Sequence, residues 1–287
     1  NTWDFPFYLA LMAAALVYRK YQSDGWKFKR LVEFLGFVIA GGMISVLLYL
    51  PFYLSFASQA GGILPSLAFF TPGKNFWLMF GPFLLPIMVY LIHYLIKKKA
   101  YKRLGTALLI VLGLFALLFV FSWSLGWLMS HSETSAAFLL GLQGATNTQE
   151  LLTQSILHRL KSPGTAITLF VLLTLSLTLV LDKKKTAELD EEKILPNEGD
   201  KKPSHLIFVL FLIILGGLLT LAPEFVYLRD QFSWRMNTIF KFYFQAWIVW
   251  SIAATYAIAI LFKREKSRKI PNTVFVASIA ILGLAAF

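Results

Sequence analysis

The chain of 287 residues is 57% hydrophobic and 16% aromatic, with a mean hydropathy of +0.67 and a formal net charge of +12. So apolar a composition exceeds that of a water-soluble domain of this length and points to an integral membrane protein. The absence of cysteine excludes disulfides, thiol catalysis and Cys-ligated metal centres.

Apolar runs recur along the chain at Trp3 to Tyr18, Leu31 to Leu54, Phe76 to Ile96, Leu104 to Met129, Thr165 to Leu181, His205 to Ala222, Phe242 to Phe262 and Thr273 to Phe287. Most come near the ~20 residues that cross ~30 Å of hydrocarbon as a helix. The pattern predicts an all-α, polytopic transmembrane bundle of about eight spans. Opening on Asn1 and closing inside an apolar run, the chain reads as the C-terminal portion of a longer protein. It forms a single transmembrane domain in which the polar linker 182 to 204 divides a five-span from a three-span part. That linker, DKKKTAELDEEKILPNEGDKKPS, mixes both charges and lacks aromatics, as a solvated connector does. No charged leader with a cleavage site precedes the first run.

Four basic stretches, 19 to 30, 97 to 103, 182 to 204 and 263 to 269, hold all of the 27 Lys and Arg except Lys74, Arg159, Lys161, Arg229, Arg235 and Lys241. Basic residues in short loops stay on the cytoplasmic side. The termini and the segments 55 to 75, 130 to 164 and 223 to 241 are therefore expected on the outer face of the plasma membrane. The excess positive charge is explained by topology and by anionic inner-leaflet lipid, so no nucleic-acid partner is expected.

The ionisable groups of the spans lie toward their ends: Glu33, His93 and His205 toward the cytoplasm, Asp4, Glu224 and Lys241 toward the outside. Proton relays and ion-coupled transporters place such groups at mid-membrane. Here the polar chemistry concentrates at the outer interface. Its densest stretch is PEFVYLRDQFSWRMNTIFKFYFQAW, residues 223 to 247. Counting back ~20 residues at about 1.5 Å each from Lys263 places Lys241 at headgroup depth. On a helix starting near Ser233, Asn237, Thr238, Lys241 and Gln245 share one stripe. Glu224, Arg229, Asp230 and Arg235 just upstream either pair with one another or present guanidinium groups to a planar anion such as phosphate. Interfacial anchoring by snorkelling cations and by Trp234, Tyr243 and Trp247 is the plainer alternative.

Three further outer segments contribute. In NTWDFP, Asp4 at the mouth of the first span is a base, a metal ligand, an ion-pair partner or an ordinary helix-start residue. The loop SFASQAGGILPSLAFFTPGKNF offers backbone amides and Lys74 to an anion. In NTQELLTQSILHRL, Asn147 and Glu150 form a capping-box pattern, and Leu152, Ile156 and Leu160 make an apolar edge that predicts a helix on the outer membrane surface. His131, Glu133 and His158 match no metal motif. The chain has no Gly-rich nucleotide loop, nucleophile elbow or HExxH, so nucleotide hydrolysis, serine hydrolysis and zincin chemistry lack support.

Taken together, NTWDFPFY, YLPFYLSFASQAGGILP and the 223 to 247 stretch resemble Chlor_Arch_YYY, a family of multi-pass membrane proteins of archaea and Chloroflexi. That family is itself similar to the GT-C superfamily of integral-membrane glycosyltransferases, which use polyprenyl-phosphate-linked sugar donors on the outer membrane face. The resemblance implies a donor-phosphate site at Glu224, Arg229, Asp230, Arg235, Asn237 and Lys241, with Asp4 nearby. It also implies that the principal acidic residue belongs to a region preceding NTWDFP, so the fragment by itself should lack the full catalytic site. Asp4 or Asp230 would deprotonate an acceptor hydroxyl or hold a divalent cation. Two other functions compete: a lipid-linked sugar transporter or flippase, which needs a polar path through several spans, and a noncatalytic assembly protein, in which the same charges join two outer loops.

Overall fold

A computed structural model of the chain describes residues 4–56, 61–99, 101–131, 133–182, 205–229 and 234–265. The final apolar run, the body of the linker and Asp230 lie outside the described residues. The elements in order are α1 (Phe5–Asp24), α2 (Lys29–Leu48), α3 (Leu50–Ser55), β1 (Ile63–Pro65), α4 (Gly73–Lys98), α5 (Leu104–Met129), α6 (Glu133–Gln143), α7 (Thr148–Lys161), α8 (Gly164–Leu181), α9 (His205–Leu221), a 3-10 turn (Ala222–Glu224), β2 (Val226–Leu228) and α10 (Met236–Glu265).

The fold is an all-α polytopic membrane bundle. Six described helices are long and apolar enough to cross a membrane: α2, α4, α5, α8, α9 and α10. Helix α1 continues past its apolar run through Arg19 and Lys20 and is not among them. It ends at Gly25, whose φ of 79° and N–H bond to the Tyr21 carbonyl make a left-handed stop that glycine adopts without Cβ strain. The second predicted run divides into α2 and α3. The break falls at Tyr49, with φ −104° and ψ 15°, just before Pro51, which has no N–H to continue the ladder.

The core lies where α4, α8, α9 and α10 meet. Phe76 and Phe80 of α4 interlock with Tyr243 and Trp250 of α10; the Phe80 and Trp250 rings stand edge to face at 5.0 Å and 89°. Trp250 is fully buried and donates its indole N–H to the Ile213 carbonyl of α9 at 3.1 Å. This approach requires Gly216, because a Cβ there would lie 2.3 Å from Trp250 Nε1. Small residues that let helix backbones come close are the usual means of packing in lipid, where helix association gains little from the hydrophobic effect. By contrast, α2 buries only Arg30. Arg30 pairs with Glu33 at 2.6 Å, and Glu33 reaches Lys20 of α1 at 3.3 Å.

Several hydroxyls within the spans bond to their own helix. Ser176 donates to Leu172 O at 2.8 Å, Thr178 to Thr174 O at 2.7 Å and Thr220 to Gly216 O at 2.9 Å, which lets these groups sit in an apolar interior without an outside partner.

A short antiparallel ribbon caps one end of the bundle. Its register is Ile63 with Leu228, Leu64 with Tyr227 and Pro65 with Val226. Backbone bonds from Gly61 N to Arg229 O, Arg229 N to Gly62 O and Ser66 N to Phe225 O lengthen it at both ends.

Replacing Gly216 by alanine forces the α9–α10 contact apart. We expect a loss of about 1–3 kcal/mol, the usual cost of overpacking, read as a lower unfolding midpoint for Gly216→Ala in detergent, while Gly113→Ala, at a glycine with open space around it, leaves the midpoint unchanged.

Candidate functional site

The ribbon end gathers the starts of α4, α8 and α10, the ends of α5 and α9, and the short helices α6 and α7. Two prolines, Pro72 and Pro163, precede α4 and α8. The two starts touch at Gly73 and Gly164, where a Cβ on Gly73 would meet Gly164 Cα at 2.8 Å. Thr165 then donates its hydroxyl to Thr71 O at 2.6 Å.

At the centre of this end sits Glu224, 6% exposed. Its carboxylate accepts from Thr71 N at 2.8 Å and from Thr71 Oγ1 at 2.6 Å, and lies 3.3 Å from the Tyr243 hydroxyl. Arg235 stands beside it, with Nη1 at 3.6 Å from Oε1. The same guanidinium donates to Phe69 O at 3.1 Å, Pro223 O at 3.2 Å and Thr71 Oγ1 at 2.9 Å. Removed from water, the pair is tolerable because the surrounding groups complete its hydrogen bonds. Three segments distant in sequence, 69–71, 223–224 and 235–243, are held by this one cluster.

Arg159 of α7, not among the candidate residues drawn from the sequence, is the second guanidinium here. Its Nη2 donates to Ser66 O and to Glu224 O, each at 2.7 Å, and its charge lies over the Phe225 ring at 4.6 Å. Burial holds its pKa down to about 10, Glu224 acting against the shift and Arg235 with it. The sequence carried a clue: Arg159 is one of the few cations outside the basic loops. Gln143 of α6 was also missed. It is buried, accepts from Leu67 N at 2.9 Å and Ala68 N at 2.8 Å, and donates to Pro65 O at 2.8 Å. The loop amides offered to an anion at Leu67, Ala68 and Thr71 are thus engaged within the protein.

The other described candidate residues differ from the cluster in exposure. Lys74 is exposed in the first turn of α4. Arg229 is exposed, its side chain packing along Gly61 and its guanidinium 4.6 Å above the Phe138 ring of α6. Asn237 and Lys241 are partly exposed in the first turns of α10. Of their predicted stripe, Thr238 and Gln245 are buried: Thr238 Oγ1 accepts from Leu228 N at 3.0 Å, and Gln245 accepts from the Tyr8 hydroxyl. The Tyr8–Gln245 bond and the edge-to-face pair of Phe7 and Phe242 at 5.1 Å join the starts of α1 and α10. Asp4 is one turn above Tyr8 and Lys241 one turn above Gln245, so both occupy that corner. Asp4 sits at the N-cap position of α1 without a side-chain capping bond. Asp230 is outside the described residues.

Helix α7 bears out the capping pattern: Asn147 Oδ1 accepts from Glu150 N at 2.8 Å, while Glu150 accepts from Thr146 N at 2.9 Å. Its buried positions are Leu151 and Ser155, one residue round from the apolar edge read in the sequence. Of that edge, Leu152 packs into a small cluster with Leu67 and Leu139, whereas Ile156 and Leu160 are exposed. Among the described residues, no three of His, Asp or Glu gather as a metal site.

Breaking the buried pair from one side leaves an uncompensated charge, which costs about 3–5 kcal/mol. We expect Glu224→Gln and Arg235→Met each to lower the unfolding midpoint sharply. The double variant should be less destabilised than the sum of the two, a coupling measurable in a double-mutant cycle.

No curated protein and no solved structure matches the chain. A family model described as an uncharacterised membrane protein, DUF2298, matches residues 1–250, which take in α1 through the first half of α10 and the whole ribbon-end cluster. The chain therefore belongs to this DUF2298 family of membrane proteins.

Proposed function

We propose that the protein is a glycosyltransferase-like membrane protein that draws on a polyprenyl-phosphate-linked sugar at the outer face of the plasma membrane. The observation that carries this reading is the division of labour at the ribbon end. Glu224 is buried, the Arg235 side chain is 10% exposed, and both are bonded to loop backbone, while Lys74 and Arg229 are exposed and Asn237 and Lys241 partly exposed. A rigid centre carrying cations at its rim suits a doubly anchored substrate, lipid tail in the bilayer and phosphate at the headgroup layer. The motif residues thereby divide: Arg235 and Glu224 position the loops, and Lys74, Arg229 and Lys241 meet the phosphate.

In the reaction, the bond between the sugar anomeric carbon and the phosphate oxygen breaks. The acceptor oxygen bonds to that carbon and loses its proton to a carboxylate, Asp4 or Asp230. The departing phosphate gains negative charge, which fixed cations in a water-poor interface stabilise. A divalent cation would add charge neutralisation; Asp4 is the described carboxylate at that corner outside the Glu224 cluster.

A noncatalytic assembly role is the second reading, favoured by how fully Glu224 and Arg235 are occupied with each other and with loop backbone. The transporter reading draws less support, because Ser176, Thr178 and Thr220 turn their hydroxyls to carbonyls of their own helices.

Binding of a radiolabelled polyprenyl-phosphate sugar to the full-length protein in nanodiscs separates the two leading readings. Lys74→Ala, Arg229→Ala and Lys241→Ala are each expected to weaken binding by about 10-fold or more, the worth of a hydrogen bond to a charged group, with the fold intact. Wild-type protein that fails to bind, or rim variants that bind as tightly as wild type, would turn the assignment to assembly.

A further inference from the structure

Beneath the ribbon, between the loop that precedes α4, α5, the end of α7, the start of α8 and the end of α9, lies a partly enclosed cavity of about 30 Å³. Its polar lining comes from Thr71, Arg159, Ser162, Thr165 and Glu224, and its floor from apolar side chains including Phe115 and Leu169. The volume suits one water molecule or one ion of similar size. Charge distinguishes the two occupants. Among the described residues, the cluster holds two largely covered guanidiniums, Arg159 and Arg235, and one buried carboxylate, Glu224. Arg235 is the partner at 3.6 Å from that carboxylate, whereas Arg159 reaches only carbonyls and a ring face. Among these groups one positive charge is left in excess where water is scarce, an arrangement that favours the approach of a counter-charge.

The donors are also in place. Arg159 Nε is buried and makes no hydrogen bond. The amides of Thr165 and Ala166, both on the cavity wall, belong to the first turn of α8, where no intrahelical acceptor exists for them. The one acidic group on the wall, Glu224, has its oxygens occupied by Thr71, Tyr243 and Arg235.

From these observations we propose that the cavity binds one small monovalent anion of halide size, held by Arg159, the Ser162 hydroxyl and the first-turn amides of α8. Its role is to neutralise Arg159 and so lock α7 against the ribbon. The site is separate from the exposed cations of the proposed donor surface and does not depend on that function.

The test is thermal unfolding of the full-length protein in detergent, with gluconate replaced by chloride or bromide at constant ionic strength. With halide at about 100-fold its dissociation constant, the wild-type midpoint should rise by roughly 4 °C or more. Ser162→Ala, which leaves the bonds of Arg159 to Ser66 and Glu224 untouched, should weaken halide affinity about 10-fold. Arg159→Gln should abolish the halide response. If Arg159→Gln does not fold, Ser162→Ala still decides. An identical wild-type midpoint in gluconate and halide would mean the cavity holds water and would overturn the proposal. So would a halide response unchanged in Ser162→Ala, or stabilisation by inorganic phosphate without any by halide.

Discussion

A carboxylate and a guanidinium buried together at the end of a membrane bundle set the terms for the surrounding structure. Glu224 and Arg235 are eleven positions apart, but their hydrogen bonds run mainly to a third segment, at Phe69 and Thr71. Neither charge could stay out of water without that segment, and the segment could not turn back over the bundle without donors and acceptors for its exposed backbone. The ribbon, the Gln143 clamp and the Arg159 staple satisfy the same requirement at neighbouring carbonyls and amides. Non-helical backbone near a membrane persists where protein completes its hydrogen bonds, and here four side chains, Gln143, Arg159, Glu224 and Arg235, do so.

This arrangement separates strength from recognition. Buried charge fully occupied by its surroundings makes the loops stiff, but is poorly placed to seize a ligand. Cations with more exposure contribute less to stability, since exposed charges are screened by water and salt. Arg229 illustrates the boundary. Its backbone is part of the ribbon, its side chain packs on Phe138 and Gly61, and its charge remains exposed. A stiff base with charged edges is what a headgroup-level binding surface needs, and it would also serve a docking platform for another protein. Both readings therefore start from the same cluster.

Helix packing below the ribbon follows a different rule. Where lipid surrounds the bundle, burial of apolar area cannot by itself discriminate one neighbour from another, so shape takes over. Trp250 fits against Gly216, Leu173 approaches Gly217, and the starts of α4 and α8 meet glycine to glycine. These contacts fix the axial positions of the helices. They thereby decide that Thr71, Glu224 and Tyr243 arrive at the same level.

The sequence by itself determined the membrane class and most of the spans, because a helix in hydrocarbon must be a long apolar run whatever it packs against. The predicted run Leu104 to Met129 is α5 to the residue, and the Asn147 cap of α7 could be read from four adjacent positions. Local chemistry also marked 223 to 247 as the polar centre. What it could not decide was which charges face inward. Arg229 and Arg235 look alike in a string of letters, and only the approach of Phe69 and Thr71 from more than a hundred and fifty residues away makes one a buried tie and leaves the other exposed. Arg159 and Gln143 owe their roles to the same long-range closure, since their partners are backbone groups of a distant loop, which carry no side-chain signature. Where hydrogen-bond partners are neighbours in the chain, sequence suffices; where they are backbone atoms brought in by the fold, the tertiary structure decides.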